Sequence, residues 1–193
     1  MGSRGGATLD LGNRFEEEVG VVKPNDPRPV ALIVMGVAGS GKSTVAAAVA
    51  ARAGAVFLDA DAFHPASNTA KMAAGIPLTD EDRWPWLAAV ADELARRLAD
   101  GQNAVMACSA LKRSYRDALR DRAGDLCFAH LHGSSELLAA RMAAREDHFM
   151  PVTLLHSQLA TLEPLGPDER GFVVDIAQSP DEIADEVLAR WRT

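Results

Sequence analysis

The sequence predicts an α/β fold: a doubly wound parallel sheet with helices on both faces. Three observations carry this. Apolar runs of strand length alternate with segments of helical periodicity. The runs are apolar throughout, as strands covered on both faces are. A glycine-rich loop joins the first run directly to a helix, the entry turn of a phosphate-binding βα unit.

The elements follow in order. "VALIVM" (Val30–Met35) predicts the first strand, and an Ala-rich helix runs from the glycine loop to about Ala53. "AVFLDAD" (Ala55–Asp61) predicts a second strand ending in acids. Leu87, Val90, Ala91, Leu94 and Leu98 keep helical spacing from Trp84 to Leu98. "NAVMACS" (Asn103–Ser109) is the third strand, and "LKRSYRDALRDR" a polar helix. "LCFAHLH" (Leu126–His132) is the fourth strand, followed by a helix over Ser134–Arg145. "FVVDI" (Phe172–Ile176) is the fifth strand. The last helix opens with Ser179 as cap, Pro180 at the first helical position and Glu182 closing a capping box.

At 193 residues the chain suits one domain. Residues 1–28 are rich in Gly and charge and read as a flexible leader, with a short helix around Arg14–Val19; residues 29–193 read as a single domain. A net charge of −7 argues against a nucleic-acid platform, so any bound anion must be held by local positive groups. No apolar run approaches a membrane span, and the N-terminus lacks the apolar core of a secretory signal. Cys108 and Cys127 lie in apolar runs and read as buried free thiols. The expected location is cytoplasmic.

Gly36, Gly41, Lys42 and Ser43 satisfy G-x-x-x-x-G-K-[ST] between a buried strand and a helix. Glycine allows backbone angles that turn successive N–H groups toward a phosphate. Gly36, Val37, Ala38, Gly39, Ser40, Gly41, Lys42, Ser43 and Thr44 are therefore expected to bind ATP. In this loop Lys42 reaches the β/γ-phosphates and Ser43 offers its hydroxyl to Mg²⁺.

No N-K-x-D tetrapeptide marks a guanine-specific switch protein, and "DERG" (Asp168–Gly171) follows a Pro-containing stretch, not a strand. The third strand ends in Cys108–Ser109, whereas a motor-type ATPase ends its middle strand in Asp. The acids sit on the second strand instead, an arrangement that suits small-molecule kinases. Asp59 and Asp61 share a face if that strand continues. Asp59 is the candidate to orient hydrated Mg²⁺, and Asp61 the candidate base for an attacking hydroxyl.

Four segments, "GVAGSGKST", "FLDADAFHPASNTAKMAAGIPLTDEDRWPWL", "CSALKRSYRDALR" and "HFMPVTLLHSQLATLE", together resemble gluconate kinase of the short P-loop type. The resemblance runs from about Val30 to the C-terminus and is most specific from Asp59 to Leu87. It implies a five-stranded parallel sheet in the order 2-3-1-4-5. It also implies transfer of phosphate from ATP, with Mg²⁺, to the 6-hydroxyl of D-gluconate, and a homodimer. It places a lid at about 141–165, with Arg145 at the phosphates and Arg141 near adenine. Lys42, Asp61 and Arg145 are then the candidate catalytic residues.

Gluconate is an anionic polyol, so its pocket needs a cation for the carboxylate and polar groups for the hydroxyls. Asp61, His64, Arg83, Ser109 and Lys112 are the candidates, Arg83 because a guanidinium fork matches a carboxylate. Asn68, Lys71 and Asp82 lie in the same segments, Asp82 at capping-box spacing from Thr79. Trp84 and Trp86 wall the pocket or pack the core, and His148 is a weaker substrate-side candidate. His130 and His132 share a strand face without Cys or acid partners nearby and read as structural. Two alternatives stay open: a kinase for another small polyol or acid such as shikimate, and an ATP-binding regulatory module that transfers nothing.

Overall fold

The computed structural model describes residues 28–144 and 152–192. The predicted leader, apart from residue 28, and its short helix lie outside them. Five strands form one parallel sheet: β1 (Ala31–Met35), β2 (Val56–Asp59), β3 (Ala104–Ala107), β4 (Leu126–His132) and β5 (Gly171–Asp175). Their order is β2-β3-β1-β4-β5, as the family resemblance implied. The described helices are α1 (Lys42–Ala53), α2 (Ala66–Ala73), α3 (Asp80–Ala99), α4 (Arg113–Ala123), α5 (Ser135–Ala143), α6 (Val152–Thr161) and α7 (Pro180–Trp191).

The apolar strand runs are explained by two cores. Leu32 and Val34 of β1 face one layer with Val45 and Val49 of α1, Leu138 of α5 and Val187 of α7. Ala31, Ile33 and Met35 face the other, with Leu87, Val90 and Leu94 of α3 and Leu119 of α4. Successive strand residues alternate between the layers, so each must be apolar. Cys108 and Cys127 are buried and unbridged, as expected.

Two elements differ from the sequence reading. The second strand ends at Asp59, and a 3₁₀ turn (Ala60–Phe63) follows. Asp59 and Asp61 therefore do not share a strand face. The Asp59 side chain accepts a hydrogen bond from the Asp61 amide at 3.1 Å and caps the turn. Helix α3 begins at Asp80, four residues before the first predicted position. Thr79 and Asp82 form a reciprocal capping box that starts the helix ahead of Pro85. No helix among the described residues is long and apolar enough to cross a membrane.

Candidate active site

The site lies beyond the carboxyl ends of β1, β2 and β3, where an open parallel sheet binds ligands. The loop between β1 and α1 needs its glycines. Gly39 has φ +81°, and a Cβ there would sit 2.8 Å from Met142 Cγ and 2.9 Å from the Leu138 carbonyl of α5. Gly36 has φ +146°, and a Cβ there would meet the Leu131 carbonyl at 2.8 Å. Both positions combine a backbone angle that L side chains rarely adopt with no room for a side chain. Lys42 Nζ donates to the Val37 carbonyl at 3.0 Å, arching back over the loop.

The Ser43 hydroxyl donates to Asp59 Oδ2 at 2.9 Å. This brings the first turn of α1 and the end of β2 together through two oxygen side chains. Such hard oxygen donors fit Mg²⁺, which keeps most of its ligands as water and phosphate. A larger all-protein metal cage is not needed, and among the described residues no group of three or more His, Cys, Asp or Glu could hold a metal.

Asp61 projects from the 3₁₀ turn with a largely exposed side chain, its Oδ1 3.9 Å from His64 Nε2. His64 stacks on Trp86 at 4.4 Å between ring centroids and 13° between planes. Asn68 Nδ2 donates to the Asp82 carbonyl at 2.8 Å and lies 3.4 Å from His64 Nδ1. With Asn68 as donor, Nδ1 is the acceptor and the imidazole N–H sits on Nε2, facing Asp61. Burial lowers the His64 pKa; Asp61 opposes this and Arg83 adds to it. The ring is thus neutral at pH 7. Trp86 Nε1 donates to the Ala60 carbonyl at 2.7 Å, pinning α3 to the turn that carries Asp61.

An AAA domain family matches residues 32–165. The gluconokinase of Gluconobacter oxydans is 47% identical over 165 residues, covering 86% of this chain and 93% of the relative. The solved gluconokinase of Sinorhizobium meliloti is 51% identical with a TM-score of 0.77, covering 86% of this chain and 94% of that one. The chain belongs to the gluconokinase family. An unliganded sugar kinase structure from Janibacter sp. is 49% identical with a TM-score of 0.81, over 85% of this chain and 95% of that one.

In this member of the gluconokinase family, Arg83 and Lys112 meet at a third cluster. Lys112 Nζ donates to both oxygens of Asp80 at 2.9 and 2.7 Å. The Tyr115 hydroxyl donates to Asp80 Oδ1, and Arg83 Nη1 donates to the Tyr115 oxygen at 3.3 Å. The bonds from Lys112, then from Tyr115, hold the Asp80 carboxyl below its usual range; Asp80 in turn raises Lys112. Lys112 sits just past Ala110, whose φ of +43° bends the chain after β3. Ser109 touches the glycine loop through its backbone, its carbonyl accepting from the Gly36 amide at 3.4 Å. It does not cap α4, whose cap position is Lys112.

Lys71 and Asp82 pair with each other at 2.6 Å, and Asp82 also completes the α3 capping box. Arg141 Nη2 donates to the carbonyls of Ile176 and Gln178, after β5, and Arg141 Nη1 lies 4.0 Å from where a Gly41 Cβ would sit. Its side chain thus spans from the glycine loop to the β5–α7 turn. Arg145 and His148 lie outside the described residues. His130 is buried with its ring against that of His132, and burial first, then the His132 and Arg116 charges, takes its pKa down to about 4.

Three features escaped the sequence reading. Asp80 and Tyr115 bind the cations but resemble ordinary helix residues at their positions. Gln158 of α6 accepts the Ala38 amide of the glycine loop at 2.6 Å, joining segments 120 residues apart. Glu169, within the discarded "DERG", is the buried partner of Arg116. None stands out locally, because each makes at least one decisive contact with a distant segment: Asp80 with Lys112, Tyr115 with Arg83, Gln158 with Ala38 and Glu169 with Arg116.

Proposed function

We propose that the protein transfers the γ-phosphoryl group of ATP to the 6-hydroxyl of D-gluconate, giving 6-phospho-D-gluconate and ADP. The observation that carries the reading is the meeting of three groups at one sheet edge. These are the glycine loop with Lys42, the exposed Asp61 carboxylate, and the Lys112–Arg83 cations beyond it.

Gly36 to Thr44 cradle the triphosphate with backbone N–H groups. Lys42 and Arg145 neutralise charge on the transferring phosphoryl, and Arg141 borders the adenine side. Ser43 and Asp59 would hold Mg²⁺, partly through water, and the ion would neutralise charge on the phosphates. Asp61 accepts the hydrogen bond of the attacking hydroxyl and takes its proton. Arg83, Lys112, His64 and Ser109 bind the sugar acid. Phosphoryl transfer asks mainly for positioning and charge neutralisation, and a single carboxylate suffices as base.

Residues 29–193 act as one kinase domain, with 141–165 as a lid whose closure excludes water from the transfer. The reading extends to a cytoplasmic homodimer that engages neither nucleic acid nor membrane. Light scattering on the purified chain tests the assembly. A coupled ADP-release assay across sugar acids and shikimate tests the function. Preference for gluconate is expected; turnover of another acid in its place, or ATP binding with no acceptor, would overturn it.

A further inference from the structure

Apart from Asp61, which the proposed reading gives to the attacking hydroxyl, the acceptor side has a countable charge. Arg83 and Lys112 bring two cations, and Asp80 lies within reach of both, 2.7 Å from Lys112 and 3.6 Å from Arg83. The neighbouring Lys71–Asp82 pair closes on itself. Tyr115 stands between the cations as a relay, with Arg83 5.8 Å and Lys112 5.4 Å from its ring centroid. Arg83 leans on Asp80 mainly through the Tyr115 hydroxyl, and among the described residues its remaining guanidinium donors make no hydrogen bond. All three charged side chains are partly exposed, so the cluster opens to solvent. Its position is on the acceptor side, because Arg83 lies in the first turns of α3, between Asp82, whose carbonyl accepts from Asn68, and Trp86, which stacks on His64 and bonds the Ala60 carbonyl next to Asp61.

We propose that Asp80 sets the acceptor class by cancelling one of the two cations of the Arg83–Lys112 cluster, leaving that cluster, apart from the base Asp61, with a single positive charge matched to a monocarboxylate. The proposal rests on the sugar-acid kinase reading and deepens it. Without Asp80 the cluster would carry two positive charges and favour dianions. Without a cation it would be neutral and would cease to distinguish an acid from a neutral polyol. Asp80 is thus a specificity-setting and positioning residue: it holds Lys112 and Tyr115 in place while limiting how strongly the pocket attracts anions. The charge-and-hydrogen-bond logic is that of complementary recognition, in which unbalanced charge discriminates among ligands of similar shape.

The test compares gluconate with D-gluconamide, which keeps the 6-hydroxyl and loses the charge, and uses D-glucarate, a dianion without that hydroxyl, as a competitive inhibitor. Asp80→Asn keeps an acceptor for Lys112 and Tyr115 and removes the charge. Its preference for gluconate over gluconamide is expected to widen roughly five- to tenfold, through KM and not kcat. Its glucarate inhibition should tighten by more than its gluconate KM falls. Lys112→Met should narrow the gluconate preference. An unchanged or narrowed ratio in Asp80→Asn would overturn the proposal and leave Asp80 as scaffold. Were that variant not to fold, an unchanged ratio in Lys112→Met would overturn it equally. Failure of the parent reading looks different: the wild-type chain would not turn over gluconate at all.

Discussion

Replacing Glu169 by Gln removes the partner of a buried arginine. Both side chains of the Arg116–Glu169 pair are fully buried, with two parallel bonds of 2.7 and 2.8 Å. Arg116 also donates to the carbonyls of Ala110, Leu111, Glu163 and Pro164. Breaking one side of a buried pair costs about 3–5 kcal/mol, because the remaining charge is left uncompensated. The four carbonyls and the amide oxygen of Gln offset part of this, so a loss of about 3 kcal/mol is expected. For a chain this size that lowers Tm by roughly 6–12 °C. Calorimetry and urea unfolding measure it.

The effect also has a pH signature. Burial opposes ionisation of Glu169, but bonds from Arg116, the Gly166 amide and Arg120 outweigh it and hold the carboxyl down to about 2. An unfolded Glu titrates near roughly 4.3. The contribution is therefore fully present above about pH 5 and is lost as pH falls toward 2. The difference in stability between wild type and Glu169→Gln should shrink over that window. Because Arg116 fixes the Ala110 and Leu111 carbonyls just before Lys112, the KM for gluconate should also rise. A stability loss below about 1 kcal/mol at pH 7 with no acid dependence would refute the reasoning.

Four other outcomes follow from the structure. Gly39→Ala meets backbone at 2.9 Å in a left-handed conformation; ATP affinity measured by calorimetry should fall by at least about tenfold, with about 1–3 kcal/mol lost in stability. Asp61→Asn should lower kcat by roughly a hundredfold or more while ATP affinity stays near wild type; wild-type turnover would dismiss Asp61 as base, whereas Lys42→Ala should lose most turnover by weakening the phosphate grip. Burial pushes the Cys108 thiol up to about 12, so iodoacetamide at pH 8 should leave it unmodified in the folded chain and label it in urea; rapid native labelling would contradict its burial.

Much of this protein was legible in the chain itself. Continuous apolar runs identify strands covered on both faces, because period-2 side chains must satisfy two cores at once. The glycine loop identifies its ligand class, since spacing and backbone freedom are local properties. Ser179 and Glu182 announce their helix start by a three-residue spacing, and the structure shows that box formed. Asp59 was singled out beside Ser43 because the third strand ends without an acid and the second supplies one; the structure shows the two side chains hydrogen-bonded.

The tertiary structure alone decided the rest. It ended the second strand at Asp59, whose side chain caps the next turn and thereby separates its role from that of Asp61. It paired Asp80 with Lys112, 32 residues away, a pairing that depends on how α3 packs against α4. It also showed that Glu169, inside the "DERG" stretch, is the anchor of Arg116, 53 residues away. Charge pairing across such separations is set by where the sheet order places the segments, and neighbouring residues in the chain carry no record of it.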